Sequence, residues 1–162
     1  MFPLHVYQNR RHRLKGMMPE NSLAIISAAH ETIRNRDVEY QFRQSSDFWY
    51  LTGFTEPDAV LIIGPGHPDR LFVRPKNTDQ EVWTGRRLGP DHVKTGLGID
   101  EGYPIDDLNS ELTTLLADIT SIEYPFYCNN SAGIVDRLVK AKETKSRQEN
   151  RLSHCADFSR FL

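Results

Sequence analysis

Apolar residues recur along this chain in two spacings, and these spacings predict helices and strands in alternation. Four apolar residues lie on one helical face near the N-terminus: Leu4, Tyr7, Leu14 and Met18. Their period predicts an amphipathic helix over residues 4–17. Continuous apolar runs at residues 22–29 and 59–63 have strand length and predict buried strands. Residues 70–74 follow the second run after a turn rich in glycine and proline, so we expect these two segments to form a hairpin.

The second half of the chain contains its most regular helical pattern. Five apolar residues share one face there: Leu108, Leu112, Leu115, Leu116 and Ile119. They predict a helix over residues 108–119, and Pro104 and Asp106 suit the segment that leads into it. We also expect a strand at residues 121–127 and a helix at residues 132–140.

The remaining segments are polar or rich in glycine. Residues 30–38 and 85–98 therefore predict irregular structure. From Lys140 onward apolar residues become rare, which is typical of a solvated extension. The sequence thus predicts a folded domain over residues 1–140 and a linker or tail over residues 141–162.

The densest aromatic cluster lies between Glu39 and Gly64. Its six members are Tyr40, Phe42, Phe48, Trp49, Tyr50 and Phe54. Aromatic side chains bury much apolar area, so this cluster predicts part of a core. Ser45 or Ser46 suits the N-cap of a short helical segment at residues 47–51, which the pair Thr52-Gly53 would end.

Composition and charge exclude several classes of protein. The chain is 38% hydrophobic and 26% charged, with a net charge of −2, as in a globular protein without the basic field that nucleic acid requires. Apolar runs are too short to span a bilayer, and the N-terminus lacks the apolar core of a signal peptide, so we expect no membrane association and a cytoplasmic location. Cys128 and Cys155 are too few for a disulfide framework and are expected to be free thiols.

Residues with the spacing of a catalytic or metal site are absent. The six histidines are dispersed, no His-Glu-x-x-His pattern occurs, and no serine lies in a Gly-x-Ser-x-Gly elbow. Cys128 is a lone thiol without an evident base, which is typical of a structural residue. We therefore predict no catalytic residue and no metal ligand in this chain.

Two groups of residues are candidates for binding rather than catalysis. Arg43 and Asp47 stand four positions apart, and their pattern favours an ion pair or surface charges over ligand contact. Trp83, Arg86 and Arg87 combine an aromatic plane with two guanidinium groups beside Gly85. Such residues are frequent at binding surfaces, although packing of Trp83 onto its own domain explains the pattern slightly better.

Three segments resemble a known family. They are RQSSDFWYLTGF at residues 43–54, EPDAVL at 56–61 and EVWTGRRLG at 81–89. They resemble the non-catalytic N-terminal domain of the Xaa-Pro aminopeptidases of the bacterial aminopeptidase P type, from about Tyr7 to about Leu116. The resemblance implies an α/β fold with a mixed β-sheet flanked by helices, similar to the N-terminal domains of creatinase and prolidase and to ribonuclease H.

The resemblance also implies a function for the whole protein. Relatives of this kind remove the first residue from peptides with proline second, using a water that bridges two manganese ions in a separate "pita-bread" domain. By resemblance, Trp83 lies near the active-site mouth of a neighbouring subunit in a homo-oligomer. The chain is then an accessory domain for subunit assembly and substrate access. Two alternatives stay open: a freestanding binding or scaffold protein, and the N-terminal half of a prolidase or creatinase-like enzyme.

Overall fold

The computed structural model describes residues 2–31, 33–35, 38–39, 41–76, 87–125, 131, 133–137 and 154–157. The helices are Leu4–Met17 (α1), Ser46–Thr52 (α2), Val93–Leu97 (α3) and Leu108–Leu115 (α4), and residues 133–137 form a further helical segment (α5). The strands are Ser22–Ser27 (β1), Ile33–Asn35 (β2), Val38–Glu39 (β3), Val60–Ile63 (β4), Arg70–Val73 (β5), Glu101–Pro104 (β6), Ser121–Tyr124 (β7) and His154–Asp157 (β8). Two 3₁₀ turns, Pro90–His92 and Ile105–Asp107, lead into α3 and α4.

A mixed sheet of six strands forms the centre, in the order β6-β5-β4-β1-β7-β8. The neighbours β1, β4 and β5 are antiparallel, whereas β6, β7 and β8 each join their neighbour in parallel. The short strands β2 and β3 pair separately. The predicted α/β class, with a mixed sheet flanked by helices, is confirmed.

Helices cover both faces of this sheet. Successive side chains of a strand point to opposite faces, so β1 places Ala24 and Ile26 in one core and Leu23 and Ile25 in the other. The first core is closed by α1, α2 and α3, and the second by α4 and α5. Burial on both faces explains why β1 and β4 are continuous apolar runs rather than alternating ones.

A buried arginine attaches α1 to the rest of the first layer. The Arg11 side chain is 1% exposed, and its Nε donates to Asp69 Oδ2 at 2.8 Å. Its Nη1 donates to the Leu51 carbonyl at 2.9 Å and its Nη2 to the Gly98 carbonyl at 2.6 Å. Lys15 Nζ lies 2.6 Å from Asp69 Oδ1, so two cations neutralise one carboxylate. Three separate segments are thereby fixed to one helix.

Several predicted elements are confirmed, with small changes of length. The helix at residues 4–17 has its predicted bounds, and the hairpin of β4 and β5 forms as expected. The predicted strand 22–29 ends at Ser27, and the predicted helix 108–119 ends as α4 at Leu115. Part of the strand 121–127 and part of the helix 132–140 lie outside the described residues.

Other sequence-based predictions are wrong. Residues 30–38 were expected to be irregular but contain β2 and the start of β3, and the segment 85–98 contains α3. Ser45 occupies the N-cap of α2, yet its side chain makes no capping hydrogen bond. Residues 154–157 lie inside the predicted linker or tail, but they pair with β7 at the edge of the sheet.

Gly53 ends α2 for a steric reason. Its φ of 68° lies in the left-handed region, and an added Cβ would be 2.5 Å from Cζ of Tyr7. Only glycine permits both the turn and this close approach of α1.

In the part of the chain that the structure describes, no helix is long and apolar enough to cross a membrane.

Candidate functional site

Gln44 fixes the segment that carries the candidate residues Arg43 and Asp47. Its side-chain oxygen accepts from the backbone N–H of Ala29 at 2.8 Å and of Ser45 at 2.9 Å. Its side-chain nitrogen donates to the carbonyls of Phe54 at 3.3 Å and Glu56 at 2.9 Å. One amide thus connects the end of β1 with both sides of α2. Because its donors and acceptors are all used, Gln44 positions its neighbours rather than a ligand.

Arg43 projects from this fixed segment at the border of an open groove. The groove has a volume of about 620 Å³ and is lined by Phe42, Arg43, Gln44, Ser46, Trp49, Tyr50 and Thr55. Arg43 is exposed, and Asp47 is partly buried in the first turn of α2. A carboxylate in the first turn suits the positive end of the helix dipole.

Aromatic rings and Arg10 form a surface next to this groove. Arg10 lies 4.1 Å above the ring of Tyr50, and its Nη1 donates to the Tyr50 carbonyl at 2.9 Å. Trp49 makes an edge contact with Tyr7 at a centroid distance of 6.2 Å, and Phe2 lies at 6.0 Å from Trp49. Tyr50 is 40% exposed and Phe2 50% exposed. Exposed rings beside a guanidinium group are suited to contact with another protein surface.

The third group of candidate residues is only partly described. Trp83 and Arg86 lie outside the described residues, whereas Arg87 is partly buried. The adjacent Leu88 N–H donates to Glu56 Oε1 at 2.8 Å, and an added Cβ at Gly89 would lie 3.2 Å from Cβ of Lys76. Residues 76 and 89 are therefore close to each other.

The turn at Glu56 connects the two candidate regions. Its carbonyl accepts from Gln44 and its carboxylate accepts from Leu88, so the segments that carry Arg43 and Arg87 are held by the same residue. Sequence reasoning did not identify Gln44, Glu56 or Arg10 as parts of this region. Gln44 and Glu56 lie within the segments that resemble the family. Their position in these segments is the one sequence signal that could have identified them.

The described residues do not fit a metal centre. Among them, no three histidine, cysteine, aspartate or glutamate side chains come together in a group that could hold a metal ion. The arrangement at Arg43, Trp49 and Tyr50 provides aromatic surface and positive charge, which supports binding and contact rather than bond cleavage.

Comparison with known proteins relates this fold to one family. Residues 7–123 match the family model described as Aminopeptidase P, N-terminal domain. The Xaa-Pro aminopeptidase of Escherichia coli (strain K12) is 36% identical over 149 residues, which are 90% of this chain and 33% of that protein. The mitochondrial Intermediate cleaving peptidase 55 of Arabidopsis thaliana is 36% identical over 114 residues, covering 70% of this chain and 22% of that protein.

Solved structures agree with these relatives. The aminopeptidase PepP of Pseudomonas aeruginosa superposes with a TM-score of 0.93 at 34% identity, covering 99% of this chain and 38% of that one. Proline aminopeptidase P II from Yersinia pestis gives a TM-score of 0.91 at 36% identity, with 99% and 38% covered. The chain spans about a quarter to a third of the length of the curated relatives it matches first. It belongs to the aminopeptidase P N-terminal domain family.

Proposed function

We propose that this chain is the accessory domain of a Xaa-Pro aminopeptidase, which cleaves the first residue from peptides with proline second. The observation that carries the proposal is that nearly the whole chain matches one region of such enzymes, and this region is named for their N-terminal domain. The described residues provide a rigid sheet, a fixed turn at Glu56 and an aromatic surface with exposed charge. Such a domain serves subunit assembly and substrate access.

We propose that the catalytic metal ions, two manganese ions by resemblance, belong to the remainder of the full-length protein. The described part of this chain has no carboxylate and histidine cluster that fits them. No step of the reaction is therefore assigned to its residues.

The balanced charge and the two isolated cysteines support a cytoplasmic location, and the exposed rings of Tyr50 and Phe2 support a homo-oligomer.

The proposal is tested with the pure 162-residue chain and a tripeptide that has proline second, in the presence of Mn²⁺. We expect no turnover, because a peptidase site needs converging ligands. Turnover that a chelator abolishes would contradict the proposal.

The reading frame of the gene is the second test, and we expect it to continue into a pita-bread domain. A stop codon directly after Leu162 in the natural gene would support a freestanding scaffold protein instead.

A further inference from the structure

A cavity separate from the groove at Arg43 lies between the end of β1 and helical segment α5. Its volume is about 310 Å³. Its walls are mainly aliphatic and consist of Ala28, Ala59, Val60, Ile105, Leu108 and Ile134. Ligand pockets range from about 300 to 1,000 Å³, so this cavity suits a small ligand with an apolar body.

The carboxylate of Asp58 at the rim of this cavity already has two partners. Asp58 Oδ1 contacts His30 Nδ1, and Asp58 Oδ2 contacts Arg74 Nη2. Arg74 also lies 3.5 Å from Glu31 Oε2. Asp58 has a φ of 54°, and its backbone N–H donates to the Ala29 carbonyl at 3.1 Å, so its turn is held in place. A ligand cation would have to compete with two existing partners for this carboxylate.

Arg137 brings a guanidinium group to the rim of this cavity. Arg137 lines the cavity from α5 and is exposed. Within the described part of the chain, no carboxylate lies within ion-pair distance of its guanidinium group. A guanidinium group binds a carboxylate through two parallel hydrogen bonds. The rim therefore favours an anionic group on the ligand.

A buried hydroxyl provides a further donor. Ser27 lines the cavity and is 3% exposed. Its Oγ accepts from Ser131 Oγ at 3.1 Å, and Ser131 Oγ in turn accepts from the Ser27 N–H at 3.1 Å. Ser27 therefore brings to the cavity wall a hydroxyl proton that its hydrogen bond from Ser131 does not use.

We propose that this cavity binds a small carboxylate with an aliphatic body. The carboxylate pairs with Arg137 and the aliphatic part lies against Ile105, Leu108 and Ile134. The Ser27 hydroxyl supplies a hydrogen bond within the site. This site is independent of the proposed peptidase function, because it involves none of the residues placed near the groove.

Calorimetric titration of the 162-residue chain tests the proposal with matched probes. We expect 4-methylpentanoate to bind saturably and its uncharged amide, 4-methylpentanamide, to bind at least about tenfold more weakly, because a hydrogen bond to a charged group is lost. Gly-Gly-Leu separates two sources of the carboxylate. If the tripeptide binds as tightly as the acid, the ligand of the cavity is the C-terminus of a peptide. If only the acid binds, the ligand is a small free acid.

Two variants locate the site. Arg137→Gln should weaken binding of 4-methylpentanoate about tenfold or more. Gly133→Leu should abolish binding by filling the cavity, since an added Cβ at Gly133 meets nothing within 4 Å and the helix can accept it. The controls are Arg13→Gln and Gly16→Leu, both on the exposed face of α1.

Three outcomes would overturn the assignment. They are the absence of saturable binding, equal affinity for the acid and the amide, and an Arg137→Gln variant that binds like Arg13→Gln. A thermal unfolding curve for each variant establishes that the protein tested is folded.

Discussion

At the scale of single residues, Arg11 is the side chain whose loss should affect stability most. Its replacement by methionine leaves the buried Asp69 with Lys15 alone and deprives the Leu51 and Gly98 carbonyls of their donor. Breaking a buried ion pair from one side costs about 3–5 kcal/mol. We expect Arg11→Met to lower the free energy of unfolding by about this amount, measured by urea denaturation.

The matched control is Arg13→Met on the same helix, where the side chain is exposed. A surface substitution of this kind is expected to change stability by less than about 0.5 kcal/mol. If both variants lose similar small amounts, the buried contacts of Arg11 contribute little beyond its packing.

Single residues also show how far the sequence alone predicts a site. Arg43 and Asp47 were identified from their spacing of four residues, but this spacing does not show that Arg43 borders a groove lined by Trp49 and Tyr50. The role of Gln44 depends on partners at Ala29, Phe54 and Glu56. These hydrogen bonds join Gln44 to backbone groups that are distant from it along the chain. Because every residue type has such groups, the bonds leave no periodic signal in the sequence.

At the scale of elements, α2 and the residues after it test the predicted aromatic core. Phe54 is 4% exposed and makes an edge contact with Phe48 at 6.4 Å. Phe54→Ala should therefore cost about 3–5 kcal/mol, as truncation of a buried ring does. Trp49 is partly exposed, so Trp49→Ala should cost less. Chemical denaturation measures both, and a loss below about 1 kcal/mol for Phe54→Ala would contradict the burial of this ring in the core.

Strand β6 contains a tyrosine that couples stability to pH. Burial, and then the hydrogen bond from its hydroxyl to Glu101 Oε2 at 3.0 Å, raise the pKa of Tyr103 above its ordinary value of 10.0. The folded state thus favours the neutral phenol. Its contribution to stability is complete below the unfolded pKa and is lost as pH rises through the folded pKa.

We expect the wild-type chain to lose stability more steeply above about pH 10 than a Tyr103→Phe variant, which keeps the ring that stacks on Phe72 at 5.2 Å. Urea midpoints between about pH 9 and pH 11 measure this difference. Tyr50→Phe serves as the control because the Tyr50 side chain is exposed. Parallel pH dependences for the wild-type protein and Tyr103→Phe would exclude this contribution of the phenol.

The elements that the sequence predicted are those with a local signal. Strand β4 is apolar throughout, and so are residues 23–26 of β1, because both faces are covered. Helix α1 buries Tyr7 and Leu14 on one face, although Arg11 lies between them on that face. Strand β6 contains Gly102 and Pro104 and is only half-buried, so neither alternation nor a continuous apolar run marks it. These residues form a strand because they pair in parallel with β5, which lies some thirty residues away in the chain. Helix α3 has five residues, too few for a period to be recognised.

At the scale of the whole molecule, the arrangement of sheet and loops determines where the candidate surfaces lie. The hairpin of β4 and β5 begins after the turn at Glu56. Glu56 therefore holds both the segment beside the groove at Arg43 and the segment at Leu88. The cavity at Arg137 lies near the opposite layer, where Leu108 and Ile134 contribute to the second core. Two separate surfaces can thus serve different partners.

In the full-length enzyme that we propose, we expect Trp83→Ala to raise KM and to change the preferred peptide length while kcat and metal content stay nearly constant. The reason is that an indole at the entrance would contact substrate equally in the ground state and the transition state, so its loss removes uniform binding. Trp83→Phe keeps an aromatic plane and should retain most of the selectivity, which makes it the matched control. Kinetics and sedimentation are measured on the same preparations to separate substrate contact from subunit contact. If Trp83→Ala lowers the melting temperature but leaves selectivity and assembly unchanged, the indole only stabilises its own domain.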